Sequence, residues 1–570
     1  MKNNLSIWGL PLLVVLLAAL QISSHFHELS SEDSVSYLDI GDAYFRGDLK
    51  TAINSYWSPL YSWILGLVLF VYRPSMQFEF FVVQLTNLLI FIATVASFEF
   101  FLHRLTLFHA RTRSPGFGQD NYPKDETAAR WIFRAAAYTV FLQASFKWNR
   151  TSAVTPDMCM AALVYTASGL CLSITHDESK WKNYAWLGTI LALAYLAKAP
   201  LFMLAFVFLL SPLLVCAIKP RMTSFTIGLF AFLVISSLYV MAISSQKGHF
   251  TIGTAGKLNY AWKVNPDQRM IPGMHWQGGP EGSGVPTHPT RKVHDSPAVF
   301  EFAQPVGGTY PPWYDPSFWM EGLTSQFNVK RQVTIIIRNS IFYLKTFGPA
   351  GLLALFLLIP GRNAGEIFVA LRRASVLMIP ALAALFLLML TTDFTEATYA
   401  PQPKTRMPGP FFVLLFCGLA GNPIAASVKR DRVRALLVAM TLLVVTATTA
   451  YDVVLDHMDA GAQTQSRNLL IAETVKGMGI KPGDPVAIIG KEFRHIYWAR
   501  LAKVRIVAEV PWPGDSWTQE QETRVMQILR QTGAVAVVNA SRIVLRQHTP
   551  KTISATGYEI ILYTNSSTEP

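Results

Sequence analysis

Between Ile7 and Val453 the chain returns repeatedly to runs of apolar residues, and no other feature constrains its fold as tightly. A hydrocarbon layer about 30 Å thick is crossed by roughly 17–25 apolar residues in a helix, because a helix satisfies its own backbone where water is absent. The first run, Ile7–Ile22, has no small-residue cleavage pattern behind it and further runs ahead of it, so it reads as a signal anchor. Ten more follow: Phe78–Leu102, Trp131–Phe146, Met158–Ile174, Tyr184–Ala197, Leu201–Ile218, Ser224–Ile243, Ile341–Ile359, Val376–Thr391, Pro410–Leu419 and Leu436–Val453. The sequence thus predicts an α-helical polytopic membrane protein of about eleven spans. Pro59–Tyr72 is apolar but short, and its flanks suit a helix lying in the membrane interface.

Composition agrees. Charged residues are 15% of the chain, against about 25% in an ordinary soluble domain. Mean hydropathy is +0.30. The charges are nevertheless lopsided, with 49 Lys+Arg against 36 Asp+Glu. An excess of that sign fits nucleic acid, an acidic partner, or the rule that loops on the cytoplasmic side are basic. Its distribution decides between these. With the N-terminus inside, the inside segments are Met1–Ser6, His103–Arg134, His176–Lys182, Lys219–Met222, Gly361–Ala374 and Gly421–Arg434. They hold 18 Lys+Arg and 7 Asp+Glu. The tail after Val453 holds 13 and 11, and everything else 18 and 18. The excess is an orientation signal, predicting a cytoplasmic N-terminus, an extracytoplasmic C-terminus and no nucleic-acid partner.

Three pieces on the outside are large enough for chemistry: Ser23–Gln77, Ser244–Ser340 and the tail. The division expected is a membrane domain over residues 1–453 and a small α/β domain over residues 454–570. In the tail, strand-like runs at Pro485–Gly490, Val504–Val510, Ala534–Val538 and Tyr558–Tyr563 alternate with helical patterns near Leu469–Met478 and Gln519–Gln531. No glycine-rich phosphate fingerprint occurs there. The four cysteines lie in apolar runs without metal or redox spacing, and His275, His288 and His294 lack zinc spacing. Asn149-Arg150-Thr151 matches a glycosylation acceptor, a three-residue pattern that recurs by chance.

The first outside loop carries the clearest chemistry. It contains Asp33, Tyr37, Asp39, Gly41-Asp42 and Asp48, followed by Trp57-Ser58-Pro59-Leu60-Tyr61. Acidic residues beside a span ordinarily form a solvated loop. A carboxylate there is also placed to act as a general base, partly shielded by the bilayer and close to a lipid-borne substrate.

The spacing of Asp33 and Tyr37, the Gly-Asp that follows, and the Trp-Ser-Pro-Leu-Tyr resemble the first external loop of GT-C membrane glycosyltransferases. More narrowly, they resemble the bacterial relatives of dolichyl-phosphate-mannose protein mannosyltransferases and of the lipid A aminoarabinose transferase. The resemblance runs over roughly Met1–Val453, strongly in the first loop and diffusely beyond it. Thr155-Pro156-Asp157 resembles the superfamily's second acidic motif; otherwise Asp157 is a helix cap. Lys198 resembles a lysine at the outer turn between two spans, where a snorkelling interfacial lysine is the alternative. Arg406 resembles an external arginine before a late span, although the tyrosine usual after it is Met407 here. A helix-flanking anchor is the alternative for Arg406.

The resemblance implies a polyprenyl-phosphate-sugar donor held in the lipid bilayer and a lipid, glycan or protein acceptor, at the outer face of a bacterial cytoplasmic membrane. In that scheme Asp33 is the base, Asp157 and Tyr37 position the acceptor or a cation, and Arg406 and Lys198 meet the donor phosphate. A single attacking route through the acceptor implies inversion rather than a covalent intermediate. The superfamily has metal-dependent and metal-independent branches. Asp33 with Asp157 is too sparse a ligand set to demand a metal, so a divalent cation stays open. Aromatic residues such as Tyr260, Trp262, Trp276 and Trp313 in the long loop either stack on sugars or form an interfacial belt. The alternative function is a multispan transporter or flippase of envelope lipids or glycans. Transporters carry mid-bilayer charges and paired broken helices, whereas no internal repeat is visible here and the singled-out charges share the outer side. That shared side is why they read as one site.

Overall fold

The computed structural model describes residues 2–23, 32–113, 124–175, 180–215, 222–264, 290–302, 307–315, 327–358, 364–394 and 406–420. It also describes 439–440, 443–444, 446–451, 454–455, 466–490, 496–541, 543–547, 551–553 and 556–563. The expected span Leu436–Val453 is described only in part. The segment expected inside, Gly421–Arg434, and Cys216, His275, Trp276 and His288 lie outside the described residues.

In chain order the first helices are α1 (Lys2–Ser23), α2 (Glu32–Phe45), α3 (Leu49–Ala52), α4 (Pro59–Tyr72), α5 (Glu79–Arg113) and α6 (Lys124–Leu142). A π-helical turn, Gln143–Asn149, prolongs α6. Then come α7 (Asp157–Ile174), α8 (Lys180–Ala197), α9 (Leu201–Val215), α10 (Met222–Lys247), α11 (Ala255–Asn259) and α12 (Pro311–Tyr314). The membrane part closes with α13 (Val329–Leu358), α14 (Ala364–Thr391) and α15 (Gly409–Ala420), and the tail holds α16 (Arg467–Gly477), α17 (Tyr497–Ala502) and α18 (Gln519–Gln531).

Contacts divide the chain into two compact units. The first comprises Met1–Ser24, Asn87–Gly253 and Asn328–Gly461; the second comprises His25–Thr86, Thr254–Phe327 and Ala462–Pro570.

The first unit is a helical bundle. Among the described residues four helices are long and apolar enough to cross a membrane: Glu79–His109, Asp157–Ile174, Met222–Lys247 and Ala364–Thr391. Gly9–Ser23, Leu201–Leu213 and Gly409–Ala420 are apolar but shorter. The count of eleven is thus larger than the number of helices that meet that length here. These helices differ in what they bury. Helix α7 is enclosed, with Leu172, Cys171 and Ile174 at most 1% exposed, whereas α10 turns Phe230 and Leu238 outward at 70% and 65%. Apolar side chains on the outside of an apolar helix belong against lipid rather than water. Between α8 and α10 the backbones touch: a Cβ on Gly188 would lie 2.0 Å from the Gly228 carbonyl oxygen. Small residues at such a crossing let helices associate through dispersion where no hydrophobic effect drives them together.

The second unit is built on a seven-stranded sheet of order β1-β2-β4-β3-β5-β7-β6. Strands β3 (Pro485–Ile489), β4 (Arg505–Val510), β5 (Ala536–Asn539) and β7 (Tyr558–Leu562) fall where the tail's apolar runs place them. Strand β3 pairs in parallel with both β4 and β5, as the intervening helices require, and β6 (Lys551–Ile553) adds to β7. The first two strands come from elsewhere. β1 (Thr290–Asp295) and β2 (Ala298–Phe302) form a hairpin in the segment between α11 and α12, and β2 pairs antiparallel with β4 at Phe300↔Glu509. Val299, Ala487, Ile489, Val507, Val525, Leu529 and Val537 make one core beneath the sheet. Helix α18 starts at a capping box in which Thr518 and Gln521 exchange hydrogen bonds.

Candidate functional site

Asp157 is the first residue of α7, and its side chain is fully buried. A buried carboxylate needs compensating charge, and two cations supply it. Lys198 follows the last residue of α8; its backbone N–H still donates to the Ala194 carbonyl at 2.9 Å, which aims the side chain from the helix end. Its Nζ lies 2.5 Å from Asp157 Oδ1. Arg406, three residues before α15, brings Nε to 3.2 Å from Asp157 Oδ2, a charge contact without hydrogen-bond alignment. The two cations are partly exposed, 18% for Lys198 and 26% for Arg406, so each keeps open surface. Beside Lys198 the wall is apolar, formed by Met160, Leu201, Leu204, Leu388, Met407 and Phe411. The structure therefore joins three of the sequence-predicted residues, and it makes Asp157 the shared counter-ion of Lys198 and Arg406.

Asp33 and Tyr37 belong to the second unit, on α2. Helix α2 lies directly on α4: a Cβ on Gly41 would sit 2.6 Å from the Ser62 carbonyl oxygen, and one on Gly66 2.6 Å from the Gly41 carbonyl oxygen. This contact needs two glycines facing each other. Tyr37 packs edge-on against Trp57 and Tyr61, with ring centroids 5.1 and 5.5 Å away. Asp33 Oδ1 accepts a hydrogen bond from the indole N–H of Trp313 at 3.0 Å.

Two turns further along α2, sequence reasoning missed a cluster. Arg500 of α17 is 6% exposed and meets three carboxylates. Its Nη1 lies 2.7 Å from Asp39 and 2.9 Å from Asp42, and its Nε donates to Glu79 at 2.9 Å. Asp39 also accepts from the Thr309 backbone N–H at 2.6 Å and from its hydroxyl at 3.1 Å. Burial alone would lower the Arg500 guanidinium, but Asp42, Glu79 and Asp39 outweigh it and hold the group well above its usual value. Asp39 has the least water of the three carboxyls. Burial pushes it above the usual carboxylate range, with Arg500 and the Thr309 N–H opposing. The available signal was the i, i+3 pair Asp39/Asp42 on one helix face; its partner is 458 positions beyond Asp42 and no local pattern reaches it.

Asn149 is 6% exposed and its amide lies against Met158 Sδ at 3.9 Å, a poor position for a sugar acceptor. Cys159, Cys171 and Cys417 are free and buried. His294 hydrogen-bonds the Pro297 carbonyl oxygen. Among the described residues no group of three His, Cys, Asp or Glu side chains could hold a metal ion.

No protein-family model matches the sequence, and no curated protein matches it. Solved structures superpose on it at low identity. ArnT from Cupriavidus metallidurans bound to undecaprenyl phosphate superposes with a TM-score of 0.49 at 12% identity, covering 99% of each chain. The same protein in its apo state gives 0.40 at 12% identity, covering 99% of this chain and 100% of that one. The Archaeoglobus fulgidus oligosaccharyltransferase, in complex with zinc and sulfate, gives 0.44 at 11% identity, covering 92% of this chain and 68% of that one.

Proposed function

We propose that the chain is a membrane glycosyltransferase of the GT-C type, moving a sugar from a polyprenyl-phosphate donor to a lipid, glycan or protein acceptor. The observation that carries this reading is the pair of partly open cations, Lys198 and Arg406, anchored on buried Asp157 beside an apolar wall. A lipid phosphate has the matching chemistry, an anionic head on an apolar tail. The charge pattern supports an N-terminus inside and the chemistry at the outer face of a bacterial cytoplasmic membrane.

In the reaction the acceptor hydroxyl loses its proton as its oxygen bonds the anomeric carbon. The bond from that carbon to the phosphate oxygen breaks, and the phosphate gains the electron pair. Asp33, placed by its resemblance to the superfamily's first-loop aspartate, takes the proton. Lys198 and Arg406 offset the negative charge that grows on the phosphate, a stabilisation larger in the transition state than before it. Displacement in one step inverts the anomeric centre.

Titration of undecaprenyl phosphate into detergent-purified protein tests the phosphate assignment. Lys198→Ala and Arg406→Ala should each weaken binding about tenfold or more, the loss typical of a charge-assisted hydrogen bond. Wild-type affinity in both variants would show that these cations balance Asp157 and do not bind the donor phosphate.

A further inference from the structure

We infer that Trp313 is a positioning residue for Asp33; this rests on the reading of Asp33 as the general base. Trp313 lies in α12, 280 residues from Asp33, and its indole N–H donates to Oδ1. The backbone that carries the indole is itself held. The Trp313 carbonyl oxygen accepts from the Ser36 hydroxyl at 3.1 Å and from the Trp57 indole N–H at 3.2 Å, so the first loop grips the residue that grips Asp33.

The whole segment around it is strapped down. Thr309 binds Asp39 through both its N–H and its hydroxyl, and the Tyr310 hydroxyl donates to buried Glu509 at 2.7 Å. The Tyr314 carbonyl oxygen accepts from the Asn54 amide at 2.8 Å, and its hydroxyl donates to the Thr51 carbonyl oxygen at 2.6 Å. An unanchored carboxylate rotates about its last bond and presents either oxygen in many directions. A fixed donor on Oδ1 removes that freedom and fixes the direction in which Oδ2 is presented, which is what positioning contributes to catalysis. The donor's chemistry suits the task. A neutral indole orients a carboxylate without the full charge of a lysine or arginine, which would hold the carboxylate's electron pairs and weaken it as a base.

The test replaces Trp313 with 3-benzothienylalanine, which keeps the fused ring and lacks only the N–H. Trp313→Phe is the second variant, and Asp33→Asn the reference. Purified full-length proteins are assayed for transfer from a panel of polyprenyl-phosphate sugars, together with melting temperature. In both Trp313 variants kcat should fall about tenfold or more while donor and acceptor KM stay within about twofold. The benzothienyl protein should melt like the wild type. Unchanged kcat in a protein whose Asp33→Asn variant is inactive overturns the inference and leaves the base reading standing. A raised KM at constant kcat overturns it in favour of substrate contact, and a kcat loss that follows a lowered melting temperature overturns it in favour of a structural role. Wild-type transfer by Asp33→Asn, or no transfer by the wild type, removes the base reading and this inference with it.

Discussion

Lys198 and Asp157 stand 41 residues apart in the chain and 2.5 Å apart in the fold, one at the end of α8 and the other at the start of α7. Two helix ends meet there because each carries half of an ion pair that neither could keep alone. A fully buried carboxylate without a partner is among the costliest groups a bundle can hold.

Removing one member of this cluster should therefore destabilise the bundle. Asp157→Ala takes from Lys198 and Arg406 the buried carboxylate they share and should cost about 3–5 kcal/mol. The double substitution Asp157→Leu with Lys198→Met should cost less than the sum of its parts, because each removes what the other would leave unpaired. Thermal unfolding in detergent reads both. An Asp157→Ala protein that melts like the wild type would contradict the ion-pair account.

Arg500 is the node of the second unit. Arg500→Leu removes the guanidinium that meets Asp39, Asp42 and Glu79, and by the same reasoning should cost about 3–5 kcal/mol. Arg500→Lys keeps the charge but cannot present two edges of a planar group, so it should recover only part of the loss. Hydrogen exchange over residues 32–45 is the direct readout. Faster exchange in Arg500→Leu is expected; wild-type protection would show that α2 does not depend on this node.

The same cluster predicts a pH effect with a definite sign. Asp39 is raised above its ordinary value of 3.8, chiefly by burial, with Arg500 and Thr309 opposing. Between that ordinary value and its own raised one, Asp39 thus keeps more of its proton in the folded protein than in the unfolded chain. Stability falls as pH rises from there through the folded pKa, because the folded state is then the one binding more protons. In Asp39→Asn this contribution disappears. Melting temperature measured at steps from pH 4 to pH 8 should decline less in Asp39→Asn than in the wild type, and parallel curves would contradict the assignment.

The contact of α2 with α4 offers a fourth prediction. Any side chain at Gly41 meets the Ser62 carbonyl oxygen at 2.6 Å, so Gly41→Leu must push α2 away and carry Asp33 with it. Transfer activity should drop about a hundredfold, since small displacements of a catalytic group are expensive. An active Gly41→Leu protein would mean that α2 tolerates rearrangement.

How much of this was legible in the sequence follows the range of each signal. Periodicity and run length are local, and they located α7, α8, α10 and the strands β3, β4, β5 and β7 to within a few residues. Resemblance to the superfamily's motifs marked Asp157, Lys198 and Arg406 one by one, but only packing shows that the two cations share one carboxylate. The hairpin β1–β2 went unseen because Thr290–Phe302 is polar and short, and gains its stability from β4, about 200 residues away. Trp313 was visible as one aromatic among many. Its role depends on a fold that sets Asp33, Ser36 and Trp57 around it.

The central claim is that the chain transfers a sugar from a lipid phosphate with Asp33 as the base. The most direct measurement is single-turnover transfer by purified wild type and Asp33→Asn, using polyprenyl-phosphate sugars and a membrane-lipid acceptor extract. The account predicts product with inverted anomeric configuration from the wild type and a loss of about 10²–10⁴-fold in Asp33→Asn, the usual contribution of general-base catalysis. Equal rates from the two proteins, or product with retained configuration, would contradict it.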